Sequence, residues 1–337
     1  MKGRLEHEIS IKNNIFSIIN EMPSYIKPYV ESYYYNIQTS KEPTTCLEYL
    51  RRINSLIDFC SQNGINDVKE IDDLIIGRYF DQKSCIYTDD GDIKKISNSY
   101  KKMTWTAFNN FFTYLYKKRI LDDNPMERID KPKNNDVVNH RFLSMDDLNK
   151  IISSVNKYYR SSDLTYNDML YKNRDLLIIS LFIVTGMRKT ALCEINVDDI
   201  SLEEKTITVV DKRNKTQVYN LVPKIEKILL KWLKDREEIL NGVTCDALFI
   251  SNRKQRLCSK SIYLIVQKYS ECLGTKISPH KIRGAFISLY YEQSGHDIEA
   301  TREAVGHSSV VTTSRYIAKN NNCRKEATTF MADNIKI

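Results

Sequence analysis

The stretch AVGHSSVVTTSRYIAK at 304–319 places His307 nine residues ahead of Tyr316. A free phenol has a pKa of about 10 and is a weak nucleophile at neutral pH. A reacting tyrosine therefore needs a base beside it and cations around its target. Upstream, SPHKIRGAF (278–286) carries His280 and Arg283 at i and i+3, which share one face of a helix. Two cationic groups on one face make little sense in a core and suit the grip on an anion. TGMRKTAL (185–192) sets Arg188 at the end of a long apolar run, where an unpaired guanidinium would be costly. VVDKRNK (209–215) supplies Lys212 beside an expected turn, with Lys215 three residues on. Taken singly, each residue reads most simply as structural: a salt bridge, a solvated lysine, a packed aromatic. Together they are two arginines, two histidines, a lysine and a tyrosine, without an acidic cluster for a metal. That set suits attack of the Tyr316 oxygen on a phosphodiester. The arginines would neutralise charge growing on the phosphoryl oxygens. A base would take the phenolic proton, and an acid would protonate the departing sugar oxygen. Fixed cations would stand where a divalent metal stands in most phosphoryl transfer, so no cofactor or metal is expected.

The elements that must hold these residues can be read from periodicity. RDLLIISLFIVTG (174–186) is apolar all round, as a buried helix is. KTITVVDKRNKTQVYNLV (205–222) alternates, turns around Arg213-Asn214 and alternates again, which predicts a β-hairpin. Helices are expected at 224–240 and 259–273, and the SMDD at 144–147 offers a capping serine with an acid three residues on. The preceding DKPKNNDVVNHRF (130–142) has no apolar period and reads as a linker. Before it, helical patterns run over 44–64, ending at the Asn63-Gly64 cap signal, over 68–80 and over 97–121. Asp-Asp-Gly within 85–96 marks a tight turn or short hairpin. The expected organisation is a tail (1–14), an all-α domain (15–130), a linker (131–143) and a second domain (144–337). The second domain is mainly α with a small β-hairpin and ends in a short helix at 323–337, bearing Ala327, Phe330 and Met331 on one side.

Bulk properties agree with that division. At 337 residues there is chain enough for about two domains. The net charge of +8 suits a polyanionic partner, and nearly all of the excess lies beyond residue 140. The eight cysteines are scattered without a C-x-x-C pair, which points to free thiols in a reducing compartment. The MKGRLEHEIS start has no signal core, and no apolar run approaches the ~20 residues of a membrane span. A cytoplasmic protein without a membrane partner is expected.

In order and spacing, these motifs resemble the tyrosine recombinase, or phage integrase, family. TGMR matches the first-arginine box (Arg188), and VVDKRNK matches the hairpin lysine segment (Lys212). HKIR matches the H-x-x-R box (His280, Arg283), and VGHSSVVTTSRY matches the Gly-His box with its nucleophile (His307, Tyr316). The helical first domain is similar to the family's core-binding domain. The sequence departs from the pattern at Ala191, where the family has an acid, leaving Glu194 as a substitute support. It departs again at Asp211 and Arg213, where glycines flank the lysine, so that Lys215 rivals Lys212. The third departure is Gly284, where the family often has histidine. The resemblance implies cutting of one strand through a 3′-phosphotyrosine, attack by a partner strand's 5′-hydroxyl, and two such exchanges within a tetramer on inverted-repeat core sites in double-stranded DNA. It implies action at the nucleoid, and it is compatible with accessory DNA-bending or directionality proteins. A type IB topoisomerase, or a DNA-binding protein of this fold without catalysis, are the alternatives. The resemblance further implies that the tail helix docks on a neighbouring subunit.

Overall fold

Amphipathic helices make up most of the computed structural model, which describes residues 2–87, 93–133, 143–161, 163–210, 215–314 and 316. They fall into two compact units, 1–139 and 140–337.

The first unit contains α1 (Lys2–Glu21), α2 (Lys27–Ile37), α3 (Pro43–Gln62), α4 (Asp73–Gln82) and α5 (Asn98–Lys117), with a ribbon of β1 (Cys85–Tyr87) and β2 (Ile93–Lys95). The expected 1–14 tail is corrected: α1 starts at Lys2, and Ile11, Ile15 and Ile19, one turn apart, are all buried. The single helix expected over 68–80 is instead a 3-10 turn (Val68–Glu70) followed by α4. Asp72 breaks it by capping α4, its carboxylate accepting from Ile75 N–H at 2.8 Å. The aromatic stripe of α5 enters the core as expected, with Phe108, Phe111 and Phe112 fully buried.

The second unit comprises α6 (Met145–Tyr158), α7 (Tyr166–Met169), α8 (Lys172–Thr185), α9 (Lys189–Glu194), β3 (Ile200–Ser201), β4 (Thr206–Val210), β5 (Thr216–Asn220), α10 (Pro223–Leu240), α11 (Ser259–Ser270), α12 (Pro279–Gln293), α13 (Ile298–Ala304) and α14 (Val310–Ser314). Ser144 and Asp147 form the capping box that SMDD suggested, opening α6. The apolar α8 is the central helix, packed by α6, α10 and α12. The expected hairpin is present as β4 and β5, paired from Thr206↔Asn220 to Val210↔Thr216. A short strand that the pattern did not announce, β3, extends it to three antiparallel strands in the order β3-β4-β5. Most of the expected linker, the hairpin connection 211–214 and the expected tail helix 323–337 lie outside the described residues.

One polar cluster sits inside this core. Asp175, at 2% exposure, accepts from Tyr269 Oη (2.6 Å), Tyr159 Oη (3.0 Å) and Arg174 Nε (2.9 Å). Arg174 also donates to Ile250 O at 3.0 Å, so the carboxylate ties α6, α8 and α11 together and anchors the β-bridge that includes Ile250. A buried carboxylate is tolerable only with this degree of satisfaction.

Candidate active site

Each segment of the TGMR turn has a physical reason. Thr185 donates its hydroxyl to Leu181 O (2.6 Å) and accepts from Met187 N–H (3.2 Å), closing the end of α8. Gly186 takes a left-handed conformation (φ 58°) and donates to Phe182 O at 3.0 Å. A Cβ there would lie 2.6 Å from the Phe286 ring, so glycine is required for space as well as for conformation. Met187 is buried, and Arg188, half-buried, occupies the cap position of α9. Arg188 thus opens the helix after the buried one rather than ending the buried one, as its sequence position suggested. Ala191, at the position of the family's acid, is packed in the apolar core.

The H-x-x-R segment opens α12. Ser278 caps it and Pro279 fills its first turn. His280 is exposed, whereas Arg283, one turn on, is 2% exposed. Arg283 donates Nη1 to Gly186 O (2.5 Å) and Nη2 to Val305 O (2.8 Å). Its guanidinium therefore joins the Arg188 turn to the loop that carries His307. That architectural role was not visible in the motif.

The Gly-His loop follows α13. Gly306 has φ 65°, and a Cβ on it would meet Gln217 Nε2 at 1.7 Å. Gln217 lies on β5 one step from Val210↔Thr216, the last pair before the hairpin connection. The hairpin is thus seated directly against the His307 loop. Lys212 falls outside the described residues; Lys215 is exposed at the start of β5. His307 is 3% exposed and clamped twice by Arg302: its N–H donates to Arg302 O (3.0 Å), and its C=O accepts from the Arg302 side-chain Nη1 (2.9 Å). Its Nδ1 lies 3.0 Å from Thr313 Oγ1 on α14.

Tyr316 comes to the same place. Its N–H donates to Thr313 O (2.9 Å) and its C=O accepts from Ser288 Oγ of α12 (3.0 Å). Its Oη makes a short hydrogen bond with His280 Nε2. The ring lies nearly parallel to His307 (27°, centroids 6.1 Å) and edge-on to His280 (68°, 5.5 Å). It rests on Gly284, where a Cβ would stand 3.1 Å from Tyr316 Cδ1. Gly284, a departure in sequence, is the space that this ring occupies. Three of the six residues singled out from sequence, His280, His307 and Tyr316, meet around the Tyr316 ring; Arg283 joins them through Val305 O, two residues before His307, and Arg188 lies two residues beyond the other carbonyl that Arg283 holds. Thr313, Ser288 and Gln217 were not singled out from sequence, where the only signal was their closeness to the motifs; Gly284 was noted as a departure, but its role as the seat of the ring was not. Among the described residues no three His, Cys, Asp or Glu side chains converge as metal ligands do, and no helix is long and apolar enough to cross a membrane.

A fold with these boxes in this order has clear relatives. The phage integrase family pattern matches residues 141–322. The tyrosine recombinase XerC of Caldanaerobacter subterraneus is 31% identical over 66% of this chain, and the match spans 59% of that relative's length. Among solved structures, the XerH site-specific recombinase bound to its difH substrate in a pre-cleavage complex superposes with a TM-score of 0.62 at 23% identity, covering 94% of this chain and 88% of that one. A lambda integrase tetramer bound to a Holliday junction gives 0.61 at 16% identity, covering 88% and 78%. This chain belongs to the phage integrase family, the tyrosine recombinases, which are enzymes of DNA recombination.

Proposed function

We propose that the protein is a site-specific recombinase that cuts and rejoins double-stranded DNA through a 3′-phosphotyrosine at Tyr316. The observation that carries the reading is the hydrogen bond between Tyr316 Oη and His280 Nε2, within a site whose walls are fixed by Arg283. In the reaction, Tyr316 Oη gives its proton to His280 and bonds to phosphorus. The bond from phosphorus to the 5′ oxygen breaks, and a lysine protonates that oxygen as it leaves. Arg188, Arg283 and His307 donate to the non-bridging oxygens, on which negative charge grows. A partner strand's 5′-hydroxyl then displaces the tyrosine, so the ester conserves the bond energy and needs neither ATP nor metal. Lys212 takes the acid role, with Lys215 its rival at the end of the same hairpin.

Two such exchanges within a tetramer would complete recombination between inverted-repeat core sites. Support for that assembly comes from the fold shared with an integrase captured as a tetramer on a Holliday junction. The net charge of +8 supports a phosphate-rich partner, and the work itself would place the protein at the nucleoid.

The test is a suicide DNA substrate nicked beside the cleavage site. The full-length protein should form a covalent adduct, and Tyr316→Phe should bind the DNA but form none. A normal adduct yield from Tyr316→Phe would overturn the assignment, and absence of any adduct from the unmodified protein would leave a binding protein. A 5′-bridging phosphorothiolate, whose sulfur leaves without a proton, should rescue Lys212→Ala selectively. Rescue of Lys215→Ala in its place would exchange the two lysines.

A further inference from the structure

We infer that Thr313 is a positioning residue that holds the His307 ring by its Nδ1, so that Nε2 is the nitrogen that meets the phosphoryl group; the inference rests on the reading of the site given above. Thr313 is fully buried and His307 is 3% exposed, so water is a poor substitute partner for either. A threonine within a helix commonly turns its hydroxyl back to the carbonyl four residues earlier. Here Thr313 Oγ1 lies 3.0 Å from His307 Nδ1.

The chemistry of the two groups decides what that contact does. A hydroxyl can both donate and accept, whereas a neutral imidazole donates from one nitrogen and accepts at the other. A phosphoryl oxygen only accepts, so a histidine that meets it through Nε2 must carry hydrogen there. With Thr313 donating to Nδ1, the neutral ring carries its proton on Nε2. If the ring gains a second proton, the same hydroxyl oxygen accepts from Nδ1–H, and Nε2 keeps its hydrogen. The hydroxyl thus serves every protonation state of the ring, accepting from Nδ1–H as readily as it donates to a bare Nδ1; what it fixes is the orientation of the ring, and the phosphoryl oxygen, which only accepts, selects the form with hydrogen on Nε2.

Thr313 has a second task, separable from the first. Its carbonyl accepts from Tyr316 N–H at 2.9 Å and so closes the turn that presents the phenol. One residue therefore fixes both His307 and Tyr316, the first through its side chain and the second through its backbone. Thr313→Val keeps the shape and the carbonyl while removing the hydroxyl.

The experiment compares single-turnover adduct formation on the nicked substrate for the unmodified full chain, Thr313→Val, Thr313→Ser, His307→Ala, and His307→Ala combined with Thr313→Val. Losing one oriented donor costs about 10²–10³ in rate. Thr313→Val, which only misorients that donor, should therefore slow adduct formation by roughly 10- to 100-fold, and Thr313→Ser should recover most of it. Because Thr313 acts through His307, adding Thr313→Val to His307→Ala should cost nothing more. An equal slowing in both backgrounds, or a normal rate for Thr313→Val alone, would overturn the inference while leaving Tyr316 as nucleophile. Failure of the unmodified chain to form adduct would instead remove the reading on which it rests. If Thr313→Val does not fold, imidazole nitrogen NMR on the unmodified protein decides, since the chain holds only five histidines. The Nδ1 signal of His307 should be that of a hydrogen-bonded nitrogen, and the signal of an unbonded Nδ1 would overturn the inference.

Discussion

Gly284→Ala should make the protein more stable and a worse enzyme. Gly284 lies within α12, where replacing glycine by alanine stabilises a helix by roughly 0.5–1 kcal/mol. The new Cβ would stand 3.1 Å from Tyr316 Cδ1 and 3.5 Å from Cε1. Carbon atoms pack best at about 3.5–4.0 Å, so the ring must withdraw by ~0.4 Å. Tyr316 can yield, because it is held by one backbone hydrogen bond at each end of its peptide unit and by its hydroxyl. Misplacement by about 1 Å costs on the order of 10²-fold in rate, so ~0.4 Å should cost roughly 5- to 10-fold. DNA affinity should not change, since no phosphate contact is removed. The assay pairs single-turnover adduct formation with thermal melting of the same preparation. A raised melting temperature with an unmodified adduct rate would show that the ring does not depend on this notch. A lowered melting temperature would show that the ring is too rigidly held to yield.

Arg283→Ala should lose fold stability as well as cleavage, because it leaves Gly186 O and Val305 O without this donor; two buried carbonyls cost about 2–6 kcal/mol, read by chemical denaturation. Arg283→Lys should rescue poorly, since one ammonium does not reproduce the planar fork that spans both loops. Asp175→Ala should destabilise the second unit by about 3–5 kcal/mol while the folded fraction still forms adduct at the normal rate, because the carboxylate sits in the core cluster and not among the reacting groups. Burial, and next the charge of Asp175, raise the pKa values of Tyr159 and Tyr269 above that of a free phenol. Their stabilising contribution is therefore complete below about pH 10 and lost as pH rises beyond it, so the last fraction of tyrosinate absorbance to appear should coincide with loss of helical circular dichroism. Cys258 should be alkylated first at neutral pH: the Ser261 hydroxyl, followed by backbone N–H groups at the start of α11, lowers its pKa against the opposing effect of partial burial. Burial pushes the Cys193 thiol up to about 12, and peptide mapping after limited iodoacetamide treatment would rank the two.

Periodicity and caps were legible wherever one face of an element meets a core. Ser144 with Asp147, the apolar run of α8 and the alternation of β4 and β5 all predicted what they form. The stretch 68–80 misled because its apolar period continues across Asp72, and only the side-chain cap shows that the chain restarts there. The 1–14 segment misled in the opposite sense: Ile11 continues the stripe of Ile15 and Ile19, but three isoleucines spaced four apart are a faint signal among polar residues. In the site, reagents were easier to identify than supports. Charged and titratable types stand out at recurrent spacings, whereas Thr313, Ser288 and Gln217 are common polar residues whose meaning depends on contacts closed from far along the chain. Arg283 shows both sides: its type marked it, but its two carbonyl partners, Gly186 and Val305, lie in other motifs and could not be foreseen.

The contact between Tyr316 and His280 joins two residues of one polypeptide. On the proposed reading, a single copy of the protein carries both partners of the proton transfer. Genetic complementation reads this directly. When copies lacking Tyr316 are mixed with copies lacking His280, every molecule in the mixture lacks one partner, and cleavage should not return. In an enzyme whose nucleophile reaches across to another subunit, the same mixture would regain activity. Each strand cut is then chargeable to a single identified copy, and a heterozygous assembly would cut only as many strands as it holds intact molecules.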